Sequence, residues 1–155
     1  MTQPSDEVAI GAALEVRARA IRAKDADATI SCYGPEPVRY DLAPPLATVG
    51  GQARDRGDLI AWFDTWRGRI RYDLSNFSIA VGGDLGFAYG FVEIGGAKQD
   101  RPAAHTIWVR QTVCLRKLGQ AWKIVHEHTS TPFYMDGSLK AAVDLAPPGA
   151  IEKTT

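Results

Sequence analysis

Two imidazoles two residues apart are the sharpest chemical signal in the chain. His126 and His128 sit in the segment Trp122-Lys-Ile-Val-His-Glu-His-Thr-Ser-Thr131. On a β-strand, residues i and i+2 point to the same side. An unperturbed imidazole titrates near ~6.5, so either ring suits general acid–base chemistry or hydrogen-bond donation at neutral pH. The alternative is a structural role, because polar groups on a buried face must be paired with carbonyls or other partners. Two histidines without a third ligand fall short of the three that a catalytic zinc site needs, so no metal is expected. Asp41 is the carboxylate candidate, ahead of Pro44-Pro45. It is read either as an acid–base group or as a turn aspartate bonding backbone N–H groups. Arg110 could clamp an anionic ligand bidentately or pair with Glu127. Trp62, Trp66, Tyr40, Tyr89 and Trp108 offer aromatic surface to an apolar ligand or to the core, and Ser130 extends the polar end of the histidine strand.

These groups must be positioned by two kinds of element. Ile10, Ala13, Leu14, Arg17, Ala20 and Ile21 recur at helical spacing, with Ser5 as N-cap and acids in the first turn. A second short helix is expected over 25–32, capped by Asp25 or Asp27 and stopped by Gly34-Pro35-Glu36-Pro37. Val38–Leu42 predicts a short strand. Asp55 caps a helix over 56–67, whose Leu59, Trp62, Phe63 and Trp66 form one apolar stripe, and Gly68 ends it. From Ile70 the period changes to two. Strands are expected over 70–81, 87–92, 105–118 and 121–131, with turns at Gly82-Gly83-Asp84 and Gly119-Gln120 and a polar loop from Gly95-Gly96 to Pro102. Helices followed by an antiparallel meander make the fold α+β, with helices packed on one face of a curved sheet.

The last hairpin decides which side chains share a face. A two-residue turn at Gly119-Gln120 sets Leu118 opposite Ala121, Leu115 opposite Ile124, Val113 opposite His126, Gln111 opposite His128 and Val109 opposite Ser130. Those residues and Trp122 then form one face, apolar near the turn and polar at its far end. Trp108, Arg110, Thr112, Cys114, Val125, Glu127 and Thr129 form the other. A one-residue bulge or a three-residue loop would exchange the faces and put Arg110 beside His128.

Composition narrows the classes. The 155 residues suit one domain. Lys+Arg and Asp+Glu are both 18, which argues against a nucleic-acid groove. No apolar run reaches the ~18 residues of a membrane span. The first residues lack the charged and apolar regions of a signal peptide, so a cytoplasmic location is expected. No G-x-S-x-G, P-loop or dinucleotide fingerprint occurs, so no organic cofactor is expected.

Trp108-Val-Arg-Gln-Thr112 and Trp122-Lys-Ile-Val-His-Glu-His-Thr-Ser-Thr-Pro132 resemble the last two strands of the SnoaL-like group in the NTF2-like superfamily. Tyr40-Asp-Leu-Ala-Pro-Pro-Leu46 and Gly83-Asp84 fall where that group has similar segments. The resemblance covers about residues 8–135, leaving a tail over 136–155. It implies a cone of helices closed over a strongly bent sheet, a deep apolar pocket, and a homodimer through the outer sheet face. Relatives include ketosteroid isomerase, limonene-epoxide hydrolase, polyketide cyclases and non-enzymatic association domains. In the isomerase-like relatives a carboxylate from an early strand abstracts a proton next to a carbonyl, and Asp41 occupies a roughly similar position. The expectation is a small-molecule-binding protein for an apolar or amphipathic ligand, with His126, His128 or Asp41 as acid–base groups of an isomerase, cyclase or hydrolase. The alternatives are a non-catalytic binding domain and an association module.

Overall fold

The computed structural model describes residues 4–149. Helix α1 spans Asp6–Arg22, α2 Ala26–Ser31 and α3 Arg56–Asp64. Each starts on a polar cap that accepts a backbone N–H: Ser5 from Val8, Asp25 from Ala28 and Asp55 from Asp58. The strands are β1 Tyr33–Tyr40, β2 Thr48–Val49, β3 Trp66–Gly82, β4 Leu85–Lys98, β5 Arg101–Leu118 and β6 Ala121–Ser130. They form one mixed sheet in the order β2-β1-β6-β5-β4-β3, with β1 and β6 parallel. Among the described residues no helix is long and apolar enough to cross a membrane.

The core falls into two clusters. Ile10, Leu14, Val113, Leu115, Trp122 and Ile124 pack under the start of α1, while Ala18, Ile21, Phe63, Ile70 and Val92 pack under its end. Arg17 sits between them on α1, with no exposed surface.

Several boundaries differ from the sequence reading. Helix α3 stops at Asp64, with Thr65 as its C-cap, so Trp66 opens β3 instead of completing a helical stripe. Trp66 pairs with Lys98 across the sheet, and the Lys98 ammonium lies 3.8 Å above its ring. The segment expected as a loop after Gly95 is strand, because β4 and β5 continue to a tight turn at Gln99-Asp100. A Cβ on Gly95 would collide with the His105 carbonyl, so the strands can approach there only at glycine. The prolines of Gly34–Pro37 lie inside β1, where the register with β6 breaks between Tyr33 and Val38. Such an irregularity is where a strand tolerates residues without an N–H donor.

The largest correction concerns the last hairpin. Leu118 pairs with Ala121 and Leu115 with Ile124, as a two-residue turn requires. The next pair is Cys114 with His126, so Val125 is one extra residue in β6. This bulge inverts every partnership beyond it: Val113 opposes Glu127, Gln111 opposes Thr129, and Arg110 opposes Ser130. Glu127 and Thr129 therefore turn inward beside Gln111, while His126, His128 and Ser130 turn outward beside Arg110, Thr112 and Cys114.

Candidate functional site

The helices leave a cavity of about 750 Å³ over the sheet. Leu59, Trp62, Trp66, Ile94 and Ile107 give it an apolar wall, and Trp62 meets Trp66 edge to face. Its floor is polar: Tyr33, Tyr72, Gln111, Glu127 and Thr129 all line it.

The floor is organised by one buried cation. Arg17 is carried in the apolar stripe of α1, one turn from both Leu14 and Ile21, and so must find its partners inside the protein. Its guanidinium forms an ion pair with Glu127, donates to the Tyr33 hydroxyl at 3.0 Å and donates to Gln111 Oε1 at 2.9 Å. Tyr33 also donates its own proton to Glu127 Oε2, at 2.6 Å. Gln111 Nε2 has two protons to give; it donates to Tyr72 Oη at 2.9 Å and Thr129 Oγ1 at 3.2 Å and lies 3.3 Å from Glu127 Oε1. Burial works to raise the Glu127 carboxyl, but Arg17, then Arg39 and the bonds from Tyr33 and Arg17, hold it below its ordinary value. Glu127 is therefore a carboxylate at neutral pH. Burial pushes both phenols, Tyr33 and Tyr72, above the usual tyrosine value, so both stay protonated.

At the edge of the cavity Arg39 stacks 5.4 Å from the Tyr33 ring centre and donates to Asp41 Oδ1 at 3.1 Å. Burial pushes the Asp41 carboxyl up from the usual range, against the pull of Arg39, and the nearby charge of Glu127 adds to the rise. Asp41 also lines a second, open depression beneath the segment 42–47.

Of the residues singled out in the sequence, the cavity gathers three: Asp41, Trp62 and Trp66. The bulge at Val125 turns His126, His128 and Ser130 to the outer face, and Tyr40, Tyr89, Trp108 and Arg110 also lie outside the cavity. His126 lies on the outer side of the sheet, where its Nδ1 donates to the Val38 carbonyl at 2.8 Å. His128 is exposed and lines only the open depression. Tyr40 packs edge-on against both imidazoles, at 4.8 and 5.4 Å. Arg110 donates to Ser130, not to Glu127, and shares the outer face with Tyr89 and Trp108. Neither histidine reaches the cavity, so the pocket-mouth role expected of the pair does not hold. Arg17, Tyr33, Tyr72, Gln111, Glu127 and Thr129 were not named as site residues. The signal that could have found them is Arg17 itself, a lone charge on an apolar helical stripe.

A family model described as "SnoaL-like domain" matches residues 10–134. No curated protein matches the chain. Among solved structures, an NTF2-like protein of unknown function from Pseudomonas putida is 26% identical, with 91% of this chain and 96% of that chain covered and a TM-score of 0.79. A candidate dehydratase of the NTF2-like family from Streptomyces avermitilis is 16% identical, with coverage of 81% and 94% and a TM-score of 0.70. The association domain of the calcium/calmodulin-dependent kinase II of C. elegans is 18% identical, with coverage of 79% and 92% and a TM-score of 0.61.

Proposed function

Since this chain belongs to the SnoaL-like family, a fold that hosts unrelated functions, its role must be argued from the site, and we propose that the cone binds a small amphipathic molecule and exchanges a proton with it at Asp41. The observation that carries this reading is the cavity itself. About 750 Å³ lies within the ~300–1,000 Å³ of ordinary ligand sites, far from a cone filled by its own side chains. Its apolar wall and its polar floor suit a ligand with an apolar body and a polar end. Asp41 is a cavity carboxyl that burial raises against the pull of Arg39, whereas Glu127 is committed to Arg17. The chemistry fits an isomerase, cyclase or dehydratase-like proton transfer that uses no organic cofactor. The Streptomyces relative described as a candidate dehydratase is consistent with that class.

Ligand-induced stabilisation tests the binding claim. A ligand at ~100 times its dissociation constant adds about 2.7 kcal/mol, which raises the unfolding midpoint of a domain this size by roughly 5–10 °C. With 2-acetylnaphthalene as the probe, wild-type protein and the outer-face variants His126→Ala and His128→Ala should show the same shift. Trp62→Ala should lose most of it. Equal shifts in wild type and Trp62→Ala, with loss in His128→Ala, would move the site to the outer face.

The reading includes a homodimer through the outer sheet face. Leu85, Phe87 and Tyr89 are about half exposed there, and Phe87 stacks on Tyr89. A contiguous apolar patch of this kind usually meets a partner. Tyr89→Glu should convert a dimer to a monomer in sedimentation velocity; a wild-type protein that sediments as a monomer at every concentration contradicts the assignment.

A further inference from the structure

The floor of the cavity can be read proton by proton. An arginine only donates, so the Gln111 atom that takes Arg17 Nη2 at 2.9 Å must be the oxygen. This fixes the amide and turns its NH₂ group toward Tyr72, Thr129 and Glu127. The amide has two protons for these three oxygens, and its two shorter contacts, Tyr72 Oη at 2.9 Å and Thr129 Oγ1 at 3.2 Å, take them, so both hydroxyls act as acceptors. A hydroxyl that accepts still has one proton to give, and among the described residues neither proton has an acceptor. Tyr33 is different: it receives from Arg17 and gives its proton to Glu127, so nothing is left over.

The floor therefore offers two unused O–H donors, oriented from behind by one amide. At this end of the cavity the Arg17 charge is balanced by Glu127; the cations Arg39, Arg54, Lys98 and Arg101 belong to the rest of the lining. Burying a carboxylate beside a pair already neutral would be costly, whereas a neutral acceptor gains hydrogen bonds without bringing a charge.

We infer that Tyr72 and Thr129 form a subsite for an uncharged oxygen acceptor, and that the ligand of this cone is a carbonyl compound, bound oxygen-first with its apolar body against Trp62 and Trp66. This rests on the proposed binding role of the cavity and names the ligand class for it. Tyr72, Thr129 and Gln111 would then set specificity, with Arg17 acting through Gln111 as a positioning residue.

Three probes that share one ring system test the assignment by titration calorimetry: 2-acetylnaphthalene, 2-ethylnaphthalene and 2-naphthoate. The ketone should bind the wild-type protein roughly 10-fold or more tighter than either the hydrocarbon or the carboxylate. Each hydroxyl contributes roughly 3- to 10-fold of this, the size of an ordinary net hydrogen bond. Tyr72→Phe and Thr129→Val should each weaken the ketone by that factor and leave the hydrocarbon unchanged. Thr129→Val keeps the side-chain shape and serves if Tyr72→Phe fails to fold. Equal affinity for ketone and hydrocarbon in the wild type overturns the subsite but leaves the binding cavity intact. Tighter binding of the carboxylate also overturns it, in favour of an anion site. Failure of all three to bind overturns the cavity's binding role together with the subsite.

Discussion

Replacing Arg17 by methionine is expected to destabilise the protein by about 3–5 kcal/mol, because it leaves the Glu127 carboxylate buried without its cation. Against a typical total of ~5–15 kcal/mol that is a large share of the stability. The loss does not measure an attractive bond. Burial of two ions costs about as much as their attraction returns, so the cost comes from orphaning one partner. The double variant Arg17→Met with Glu127→Leu should accordingly recover much of the stability, although Tyr33 and Gln111 each lose a partner. Chemical denaturation of both variants checks this, and a double variant less stable than Arg17→Met alone contradicts it. The same pair sets the acid limit. Glu127 is held below its unfolded value of ~4.3, so its contribution is present above that pH and is lost as pH falls through the folded value. Glu127→Gln should flatten the acid limb of the stability curve.

Asp41→Asn is expected to lower proton transfer at the cavity by roughly 10²–10⁴-fold, the usual worth of a positioned general base. The readout is deuterium uptake at the methyl group of 2-acetylnaphthalene in D₂O. The methyl C–H bond breaks, its proton passes to the Asp41 carboxylate and the carbonyl π pair moves onto oxygen as an enolate. The Asp41 proton exchanges with D₂O, and a deuteron from the carboxyl forms the C–D bond as the carbonyl is restored and Asp41 returns to its carboxylate. Since burial raises the Asp41 carboxyl, the rate should increase with pH through a midpoint above the ordinary carboxylate value of ~3.9. The stability effect of Asp41 has the opposite sign to that of Glu127. A raised carboxyl favours the folded state while it is protonated, and that contribution fades as pH rises through its folded value. Exchange that persists unchanged in Asp41→Asn would leave a binding protein without this base.

The sequence reading reached the architecture because helical and strand periods are local signals. The caps at Ser5, Asp25 and Asp55 are local too, since each side chain meets an N–H three residues away. The site was harder. A single extra residue at Val125 exchanges inward and outward faces over the rest of β6, and nothing in Ile124-Val-His marks it. The histidines were therefore set inside, and Glu127 outside with Arg110. Trp66 belonged by spacing to the α3 stripe, but strand pairing with Lys98 claims it for β3. It lines the cavity beside Trp62 from that strand. The Arg17 network joins residues up to 110 positions apart, and no local pattern predicts such a pairing. What was legible was the need for one: an arginine between Leu14 and Ile21 could not face the core unpaired.

Four tryptophans make the central claim directly measurable. Trp62 and Trp66 line the cone, Trp108 lies on the outer sheet face, and Trp122 is buried under the start of α1, with its indole N–H on Asp6. Their indole N–H resonances can be followed in a ¹H–¹⁵N correlation spectrum while 2-acetylnaphthalene is added. The cone account predicts saturable shifts at Trp62 and Trp66, with Trp108 and Trp122 unmoved. Shifts confined to Trp108, or no saturable shift at Trp62 and Trp66, would contradict it.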